Sequence, residues 1–600
     1  MSTSMAPVDT PEDLETTAKL ENMRLNIVFM LVGCRDEIKS IILVGQELLK
    51  KGHRVRVATH SIFQSVVLRT GLEFFSLSND AQHPIARNDS GLVPGLSSSD
   101  QQEVFRGSKM LMHTLRKCWD ACTHPGPDEG KPFVADAIIA TPLAHAHIHC
   151  AERLAIPLHI MSISPWSPTR RFAHPLAQIQ GGSEVDLEVQ NYISYLLVED
   201  SLGHEIYRVI DHFRRFTLRL PKLSLVKGMG FLGQFNIPHT YLWSPSLLPK
   251  PDDWNNLIDI SGHVATANIT PFTPSEDLSH FLKSAKDPVL VLLDLAQLSN
   301  PDSFLQTIKE ASLKYDIYFL LDSKFQKVRS VPDIPTVFVL NSDPIEWLMP
   351  KISVLFTSGQ FSSINLGLKF GKPMITLPLL RDQPFWSAAI HKAGLGSVPI
   401  LEADFFSEKF IEAFRYCMQQ DVRETAERLS EHGKLENGTV NAVKSFYRHL
   451  QSKMVQHSPT ATDSASHPLR RTPLVPSSIM SAVPSRNTDM SKIESPSHPT
   501  QVTSSNSIEQ VKPTFLVEAK GVSRNLMKAI VKPTVSHIAD AYNKLETQND
   551  SLAAKAIQKT DLSKTDMAMK VAKNVGFGSA VACGKIALLP FKSKFCNSQD

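Results

Sequence analysis

Short apolar runs alternate with stretches of helical periodicity along the first part of the chain. RLNIVFMLVG, which begins at Arg24, is long enough for one buried strand and too short to span a bilayer. EIKSIILVGQELLKKGH follows with apolar residues at helical spacing, and Lys50-Lys51-Gly52 is a helix stop signal. RVRVATH then predicts a strand, which completes a βαβ unit, and Ala137–Ala140 predicts a further buried strand.

A second alternating series begins at Pro288. Its predicted strands are VLVLLDL, IYFLL, TVFVL, SVLFT and MITLP. Its predicted helices lie at SFLQTIKEASLKY, around Asn365–Phe370 and after Pro384. The two series together predict an α/β fold with two doubly wound, Rossmann-like domains. Ligands of such folds bind at the carboxyl ends of the strands, so the loops there are the candidate functional positions.

Composition predicts three further segments around these domains. Residues 1–23 predict a disordered leader, and the two α/β domains are expected at 24–270 and 285–450. Ser, Thr and Pro supply 27 of the 60 residues in 451–510, and this segment has no Phe, Trp or Tyr, so it predicts a disordered linker. Residues 511–600 carry 14 Lys/Arg against 7 Asp/Glu and predict a basic, partly helical tail. The tail either contacts a membrane surface or docks on the protein's own domains.

The net charge and the cysteine content argue against a nucleic-acid-binding protein and against a disulfide scaffold. A net charge of +3 over 600 residues gives no reason to expect nucleic acid as a partner. Seven scattered cysteines fit a reducing compartment, and Cys118, Cys122 and His124 have no second ligand pair, so no metal site is predicted. The opening segment is acidic and polar, unlike a signal peptide, and no apolar run reaches the ~18 residues of a membrane span. A cytoplasmic protein is expected, whose tail either contacts a membrane peripherally or docks on the protein's own domains.

Several long motifs resemble one family. In the first half they are GCRDEIKS, GHRVRVATH, IPLHIM, PWSPT, HPL and IPHTYLWSPSLLPKPDDW, and in the second EWLMP, GLKFGKP and RDQPFWSAAIHKAGLG. Together they resemble the sterol 3-beta-glucosyltransferases of fungi over residues 24–450. The resemblance implies a GT-B fold, in which two Rossmann-like domains face each other across a cleft. The first domain of this fold binds a sterol or related lipid and the second binds a UDP-sugar. It also implies inversion at the anomeric carbon without a metal ion, with UDP-glucose as co-substrate and no resident cofactor.

The resemblance assigns the catalytic base to Glu37. The early loop of the family runs Gly-Ser-Arg-Gly-Asp-Val-Gln-Pro, and its Asp is the base that takes a proton from the acceptor hydroxyl. Here the string runs from Gly33 to Ser40 as GCRDEIKS, with Glu37 on the base position and Asp36 in place of glycine. The alternative is an exposed, charged loop that starts a helix.

The donor loops depart further from the family pattern. The phosphate-binding string His-His-Gly-Gly-Ala-Gly-Thr-Thr reads TSGQFSSI here, which leaves as candidate donor ligands Ser358, Gly359, Ser362 and Ser363. Side chains at former glycine positions obstruct the approach of backbone N–H groups to phosphate. The loop that is Phe-Gly-Ser in the family contains Asp294, whose charge would repel a diphosphate.

Three other positions retain donor-type residues. Asp382 and Gln383 lie where the family binds the sugar hydroxyls, and Trp347 lies at the place near the nucleotide base. Because an Asp before a helix that begins with proline is also ordinary capping, both roles stay open for Asp382. Aromatic and imidazole side chains in the first domain either form an apolar ligand surface or belong to the core, so no acceptor-binding residue is assigned; they are Trp166, Phe172, His174, Tyr241 and Trp243.

Two functions follow from these motifs. The first is a UDP-sugar-dependent, inverting hexosyltransferase that acts on a sterol or lipid hydroxyl, with donor-site departures that reduce or abolish transfer. The alternative is a catalytically inactive GT-B protein that binds lipid or regulates another process. Binding of UDP-glucose in the micromolar range separates the two hypotheses, because only the first needs a working donor site.

Overall fold

The computed structural model describes residues 23–78, 101–125, 132–179, 186–222, 236–264, 272–328, 331–341, 343–380, 382–455 and 575–577. The predicted leader apart from Met23, the predicted linker beyond Val455 and the predicted tail apart from Val575–Phe577 lie outside these residues. Contacts group Met1–Lys453 and Lys532–Asp600 into one compact unit and Met454–Val531 into another. All the described residues except Met454 and Val455 therefore belong to the first unit.

Strands and helices alternate in the first half of the chain, as the apolar runs predict. In chain order the elements are β1 (Asn26–Met30), α1 (Arg35–Lys50), β2 (Arg54–Thr59), α2 (Gln64–Leu68), β3 (Glu73–Ser76), α3 (Gln101–Thr123), β4 (Ala137–Ala140), α4 (His147–Leu154), β5 (Leu158–Ser162), β6 (Ala177–Ile179), α5 (Leu187–His212), β7 (His239–Tyr241) and β8 (Ile258–Ile260). A π-helical turn, Phe213–Thr217, continues α5. Within the described residues the parallel sheet runs β3-β2-β1-β4-β5-β7-β8. The strands predicted around β1, β2 and β4 are confirmed.

The second half repeats the same architecture on a smaller scale. Its elements are α6 (Glu276–Ser284), β9 (Val289–Leu292), α7 (Pro301–Tyr315), β10 (Phe319–Leu321), β11 (Val337–Val339), α8 (Ile345–Leu348), β12 (Val354–Thr357), α9 (Phe361–Lys369), β13 (Met374–Thr376), α10 (Gln383–Lys392), α11 (Ser407–Cys417), α12 (Gln420–Leu435) and α13 (Gly438–Val455). The described strands form a parallel sheet in the order β11-β10-β9-β12-β13. Each of its strands coincides with an apolar run of the sequence. The α/β prediction is confirmed.

Short 3-10 helices and one strand pair complete the description. The 3-10 helices are Ser61–Phe63, Pro142–Ala144, Leu295–Gln297, Ser323–Lys327, Met349–Lys351 and Glu402–Asp404. Strand β14 (Val575–Phe577) pairs with β6 in antiparallel orientation. The two strands form a separate two-stranded sheet, so one segment of the predicted tail contacts the first half of the chain.

The last helix, α13, returns from the second half to pack on the first. The Tyr447 hydroxyl and His53 Nε2 are 2.7 Å apart. Ser445 donates to the Asp259 carboxylate at 2.5 Å, and Arg448 forms an ion pair with the same carboxylate. Asp259 lies in β8, so these contacts fix the end of the second half against the edge of the first sheet. The two halves therefore form one unit around the loops that lie between them.

Candidate active site

A cleft lies between the carboxyl ends of the two parallel sheets, and two polar contacts cross it. Ser164, just after β5, donates its hydroxyl to Asp382 Oδ2 at 2.7 Å. Asp36, at the start of α1, accepts the backbone N–H of Ser362 at 3.0 Å. Aromatic rings add a third link, since Phe172 packs on Phe385 with centroids 5.5 Å apart. Candidate residues from both halves thus meet in one place, as expected for a doubly wound fold.

Glu37 lies in the first turn of α1 and its side chain is buried, 7% exposed. Its Oε1 accepts a 2.6 Å hydrogen bond from the Ser162 hydroxyl, and its carboxylate also accepts the backbone N–H of Ile163. The other carboxylate oxygen, Oε2, lies so close to Gly33 that a Cβ there would come within 2.2 Å of it. The carboxylate is therefore held at the cleft end of the first sheet, and glycine at 33 leaves it the necessary space.

The surroundings of Glu37 favour a proton-accepting group that titrates near neutrality. Burial raises the pKa of Glu37 to about 7, against the opposing effect of the Ser162 and Ile163 hydrogen bonds, and the charge of Asp382 raises it further. A general base works best when its pKa lies near the operating pH. The neighbouring Cys34 thiol has a pKa well above its usual value, first through burial and then through the charges of Glu37, Asp36 and Asp382. A raised pKa favours the protonated thiol of Cys34, which is less nucleophilic than the thiolate.

Asp382 and Gln383 start α10 and have different environments. The Asp382 side chain does not cap its own helix, although capping was the alternative interpretation of this residue. Its carboxylate crosses the cleft to Ser164 instead. Gln383 is buried, and its Oε1 accepts the backbone N–H groups of Leu379 and Leu380, each at 2.8 Å. Its Nε2 donates to Gln297 at 3.1 Å, so the Gln383 amide holds protein loops together.

The predicted phosphate loop connects β12 to α9. Gly359 has φ +84°, and a Cβ at this position would lie 2.6 Å from Ser387 Oγ, so both its conformation and its packing require glycine. Ser358 and Ser363 are buried, and Ser362 is exposed. The hydroxyl of Ser358 has no hydrogen-bond partner in the described part of the chain. Gln360, at the N-cap position, makes no side-chain cap hydrogen bond.

Trp347 and Asp294 lie in the second half, as the motifs indicated. The Trp347 ring packs edge-on against Phe272 with centroids 5.3 Å apart, and the Lys351 ammonium lies 3.7 Å from its centroid. One face of the indole is thus covered by a cation from its own chain. Asp294 follows β9 in a partly buried loop, where its carbonyl accepts the N–H of Gln297 at 2.9 Å.

Most of the aromatic candidates in the first domain belong to the core. Tyr241 and Trp243 are fully buried and stack with centroids 4.6 Å apart. The Tyr241 hydroxyl accepts the backbone N–H groups of Trp166 and Ser167 at 3.0 and 2.7 Å, and His174 is also buried. Trp166 and Phe172 are partly exposed and are the two of this set that retain free surface.

Cys118 and Cys122 are the cysteines whose spacing with His124 faintly resembles that of metal ligands. Cys118 and Cys122 are buried, and the described residues contain no group of three or more His, Cys, Asp or Glu side chains that could hold a metal ion. Sequence analysis did not single out Ser162 and Ser164 as site residues, nor Asp36 as a helix cap. A signal for the serines was present, since MSIS (residues 161–164) places polar residues where β5 ends, at the edge where ligands bind.

Comparison with known proteins identifies the family. Residues 27–173 match the glycosyltransferase family 28 N-terminal domain. The chain is 31% identical over 431 residues to sterol 3-beta-glucosyltransferase UGT80A2 of Arabidopsis thaliana, covering 71% of this chain and 66% of that protein. It is also 31% identical over 439 residues to sterol 3-beta-glucosyltransferase UGT80B1 of the same plant, covering 72% and 69%. The chain belongs to the sterol 3-beta-glucosyltransferase family. The resemblance that the motifs indicated is thereby confirmed.

The fold of this family member is GT-B. A solved structure described as the glycotransferase of kitacinnamycin superposes with a TM-score of 0.51 at 18% identity, and the match covers 71% of this chain and 99% of that one. Identity at this level supports the shared fold alone. The chain spans 66% and 69% of the two plant relatives. No helix among the described residues is long and apolar enough to cross a membrane.

Proposed function

We propose that this protein is an inverting hexosyltransferase that moves glucose from UDP-glucose to the hydroxyl of a sterol or related lipid, with a weakened donor site. The names of the two plant relatives support a sterol acceptor and a transferred glucosyl group, and UDP as its carrier follows from the family resemblance. The observation that carries the proposal is Glu37: a buried carboxylate at the cleft with a pKa of about 7 and a hydrogen bond from Ser162. About half of such a group is ionised at pH 7 and can accept a proton.

In the proposed reaction the Glu37 carboxylate takes the proton from the lipid hydroxyl as that oxygen attacks the anomeric carbon. The bond from this carbon to the diphosphate breaks on the opposite face, and UDP leaves with the electron pair. Ser162 holds the Glu37 carboxylate in place, and Asp382 supplies a second carboxylate in the cleft, suited to a sugar hydroxyl. Ser358 and Gly359 in the loop before α9, and Ser362 and Ser363 in its first turn, are the proposed diphosphate ligands, because a helix N-terminus suits an anion. Trp347 is the proposed contact of the nucleotide base.

Three contacts support a weakened donor side. Asp36 occupies an N–H group at the start of α9, the Gln383 amide is engaged by backbone groups, and Lys351 covers one face of Trp347. Each engages a group that the family pattern assigns to the donor. We therefore propose slow transfer with weak UDP-glucose binding.

A transfer assay with purified protein tests this proposal. Wild-type protein with UDP-glucose and a sterol in detergent is expected to form steryl glucoside, and Glu37→Gln is expected to reduce the rate at least about a hundredfold. Glu47→Gln is the matched control, since Glu47 lies on the same helix and its carboxylate pairs only with Lys50 within the described part of the chain. Undiminished transfer by Glu37→Gln would contradict the assignment of the base.

The second candidate function is lipid binding without transfer. The same three donor-side contacts favour it, because together they leave few groups ready for UDP-glucose. Calorimetric titration with UDP-glucose separates the two: heat of binding at micromolar to low-millimolar ligand supports the transferase, and none at higher concentration supports the binding protein.

The protein is further proposed to be cytoplasmic, with peripheral membrane contact through its basic tail. The tail's 14 Lys/Arg against 7 Asp/Glu support attraction to anionic lipid. Sedimentation of the full chain with vesicles that contain anionic lipid, compared with neutral vesicles, tests this contact. Equal sedimentation with both would contradict it.

A further inference from the structure

The N-terminus of α9 is an electropositive position at the carboxyl end of β12. This helix has nine residues, Phe361–Lys369, and follows the strand after a short loop that contains Gly359. The first N–H groups of a helix lack partners within the helix, and the helix dipole adds a partial positive charge there. A helix N-terminus of this kind binds anions. It lies at the carboxyl edge of a parallel sheet, which is where the ligands of doubly wound folds bind.

In this chain the anion at that end is a side chain from the other half of the protein. Asp36 Oδ2 accepts the N–H of Ser362, the second residue of α9, at 3.0 Å. Residues 36 and 362 are separated by 326 positions in the chain, so this is a tertiary contact across the cleft and not a local cap. The local N-cap residue, Gln360, leaves the position to Asp36, because its own side chain makes no cap hydrogen bond.

A second observation at the same end concerns Ser358. Its side chain is fully buried in the loop before α9, and its hydroxyl has no hydrogen-bond partner among the described residues. A buried hydroxyl without a partner costs free energy unless a ligand or water completes it. The start of α9 therefore combines an electropositive helix end, an unpaired buried hydroxyl and a carboxylate that enters from the opposite half.

We propose that Asp36 occupies an anion subsite at the start of α9 and competes there with the phosphate groups of a ligand. Asp36 is then a specificity-determining residue that lowers the affinity of the cleft for a nucleoside diphosphate. It does so in two ways: its carboxylate takes the Ser362 N–H, and its negative charge repels a second anion at hydrogen-bonding distance. The identity of the ligand as a nucleoside diphosphate rests on the proposed function, whereas the competition with phosphate does not.

Neutralising Asp36 tests the proposal directly. Full-length wild type and Asp36→Asn are titrated calorimetrically with UDP and, separately, with inorganic pyrophosphate. Asparagine keeps the size of the side chain and removes its charge, so we expect UDP and pyrophosphate to bind at least about tenfold more tightly to the variant. Asp36→Glu, which keeps the charge, is expected to show no such gain.

A control separates the local effect from a general change in charge. Asp421→Asn removes an acidic residue from the first turn of α12, another helix start, and is expected to leave both affinities unchanged. Thermal melting of Asp36→Asn verifies that the variant is folded, and Asp36→Ala gives a second neutral side chain for the same titration. Affinities of both neutral variants within about twofold of wild type would overturn the proposal, as would an equal gain in Asp421→Asn.

The outcome is independent of whether Glu37 is the base. Pyrophosphate binding requires neither lipid nor transfer, so a gain in Asp36→Asn upholds the anion subsite even where Glu37→Gln leaves transfer unchanged. Loss of transfer in Glu37→Gln without a gain in Asp36→Asn would uphold the proposed reaction and overturn the role of Asp36.

Discussion

The Ser164 hydroxyl and the Asp382 carboxylate are 2.7 Å apart, although 218 positions separate them in the chain. Ser164 follows a strand of the first sheet, and Asp382 lies immediately before a helix of the second half. The contact places the Asp382 carboxylate within electrostatic reach of Glu37, whose pKa it raises. Two carboxylates from different halves thus share one cleft, and the environment of Glu37 depends on how closely the halves meet.

Removing this contact is expected to weaken the junction between the halves. Ser164→Ala leaves the Asp382 carboxylate without the serine donor, and we expect the free energy of unfolding to fall by about 1–2 kcal/mol. Urea denaturation measures the change. Ser284→Ala is a suitable control, because among the described residues the Ser284 hydroxyl bonds only to the His280 carbonyl of its own helix. An equal loss of unfolding free energy in both variants would show that the contact between Ser164 and Asp382 stabilises the protein no more than a hydrogen bond within one helix.

Ser162 is expected to set the pH dependence of transfer. Its hydrogen bond stabilises the ionised form of Glu37 and so lowers the Glu37 pKa against the effect of burial. In Ser162→Ala that pKa rises, fewer Glu37 carboxylates are ionised at a given pH, and the acidic limb of the rate profile moves to higher pH. Below neutrality the rate falls by up to about tenfold relative to wild type. An unchanged profile would show that Glu37 does not supply the acidic limb.

Gly33→Ala is expected to damage catalysis more than stability. A Cβ at residue 33 would lie 2.2 Å from Glu37 Oε2, so the carboxylate must move away from its hydrogen-bond partners. A displacement of about 1 Å in a catalytic group costs on the order of a hundredfold in rate. Steady-state rates and thermal melts measure the two effects. In the control Gly433→Ala nothing lies within 4 Å of the new Cβ, so the rate should stay near wild type and the stability should stay or rise by up to about 1 kcal/mol.

Acid is expected to destabilise the first domain from about pH 6.5 downwards. Burial lowers the pKa of His147 and His174 to about 3 and that of His239 to about 4. Because the unfolded chain binds these protons near pH 6.5, stability is complete above that pH and falls as pH drops toward the folded pKa values. Each histidine contributes a loss of at most about 1.4 kcal/mol per pH unit, and Glu37 opposes it between pH 7 and 4.5, since its folded pKa is raised.

Urea denaturation at pH 7.5, 6.5 and 5.5 measures this dependence. His174→Gln is expected to reduce its slope, whereas the same change at the exposed His124 is expected to leave it as in wild type. A free energy of unfolding that stays constant or rises over this range would contradict the prediction.

Strands β1, β2 and β4 of the first sheet and the strands of the second sheet could be predicted from sequence because they are apolar runs of the right length. Ala137–Ala140 is buried at every position, and VLVLLDL contains the whole of β9. The helix that contains Glu37 could be located from the helical spacing of its apolar residues, and the helix at Gln383 from the proline at its start. The spacing of apolar residues identifies each helix or strand from its own residues, so the prediction does not need the rest of the fold.

The contacts that define the site could not be predicted in this way. Glu37 pairs with Ser162 across 125 positions, and Asp36 meets Ser362 across 326. Nothing in the local pattern of either segment encodes the partner, because the contact exists only once both sheets have formed and face each other. Gln383 illustrates the same point: its motif suggests a sugar contact, while the folded loop engages its amide with Leu379, Leu380 and Gln297.

The central claim is that this cleft carries a working base beside a weakened donor site. The initial rate of steryl glucoside formation, measured against UDP-glucose concentration for wild type, Glu37→Gln and Asp36→Asn, tests it most directly. We predict a high KM for UDP-glucose in wild type, a kcat at least about a hundredfold lower in Glu37→Gln, and a KM about tenfold lower in Asp36→Asn. Equal kcat in wild type and Glu37→Gln, or the absence of any steryl glucoside from all three proteins, would contradict it.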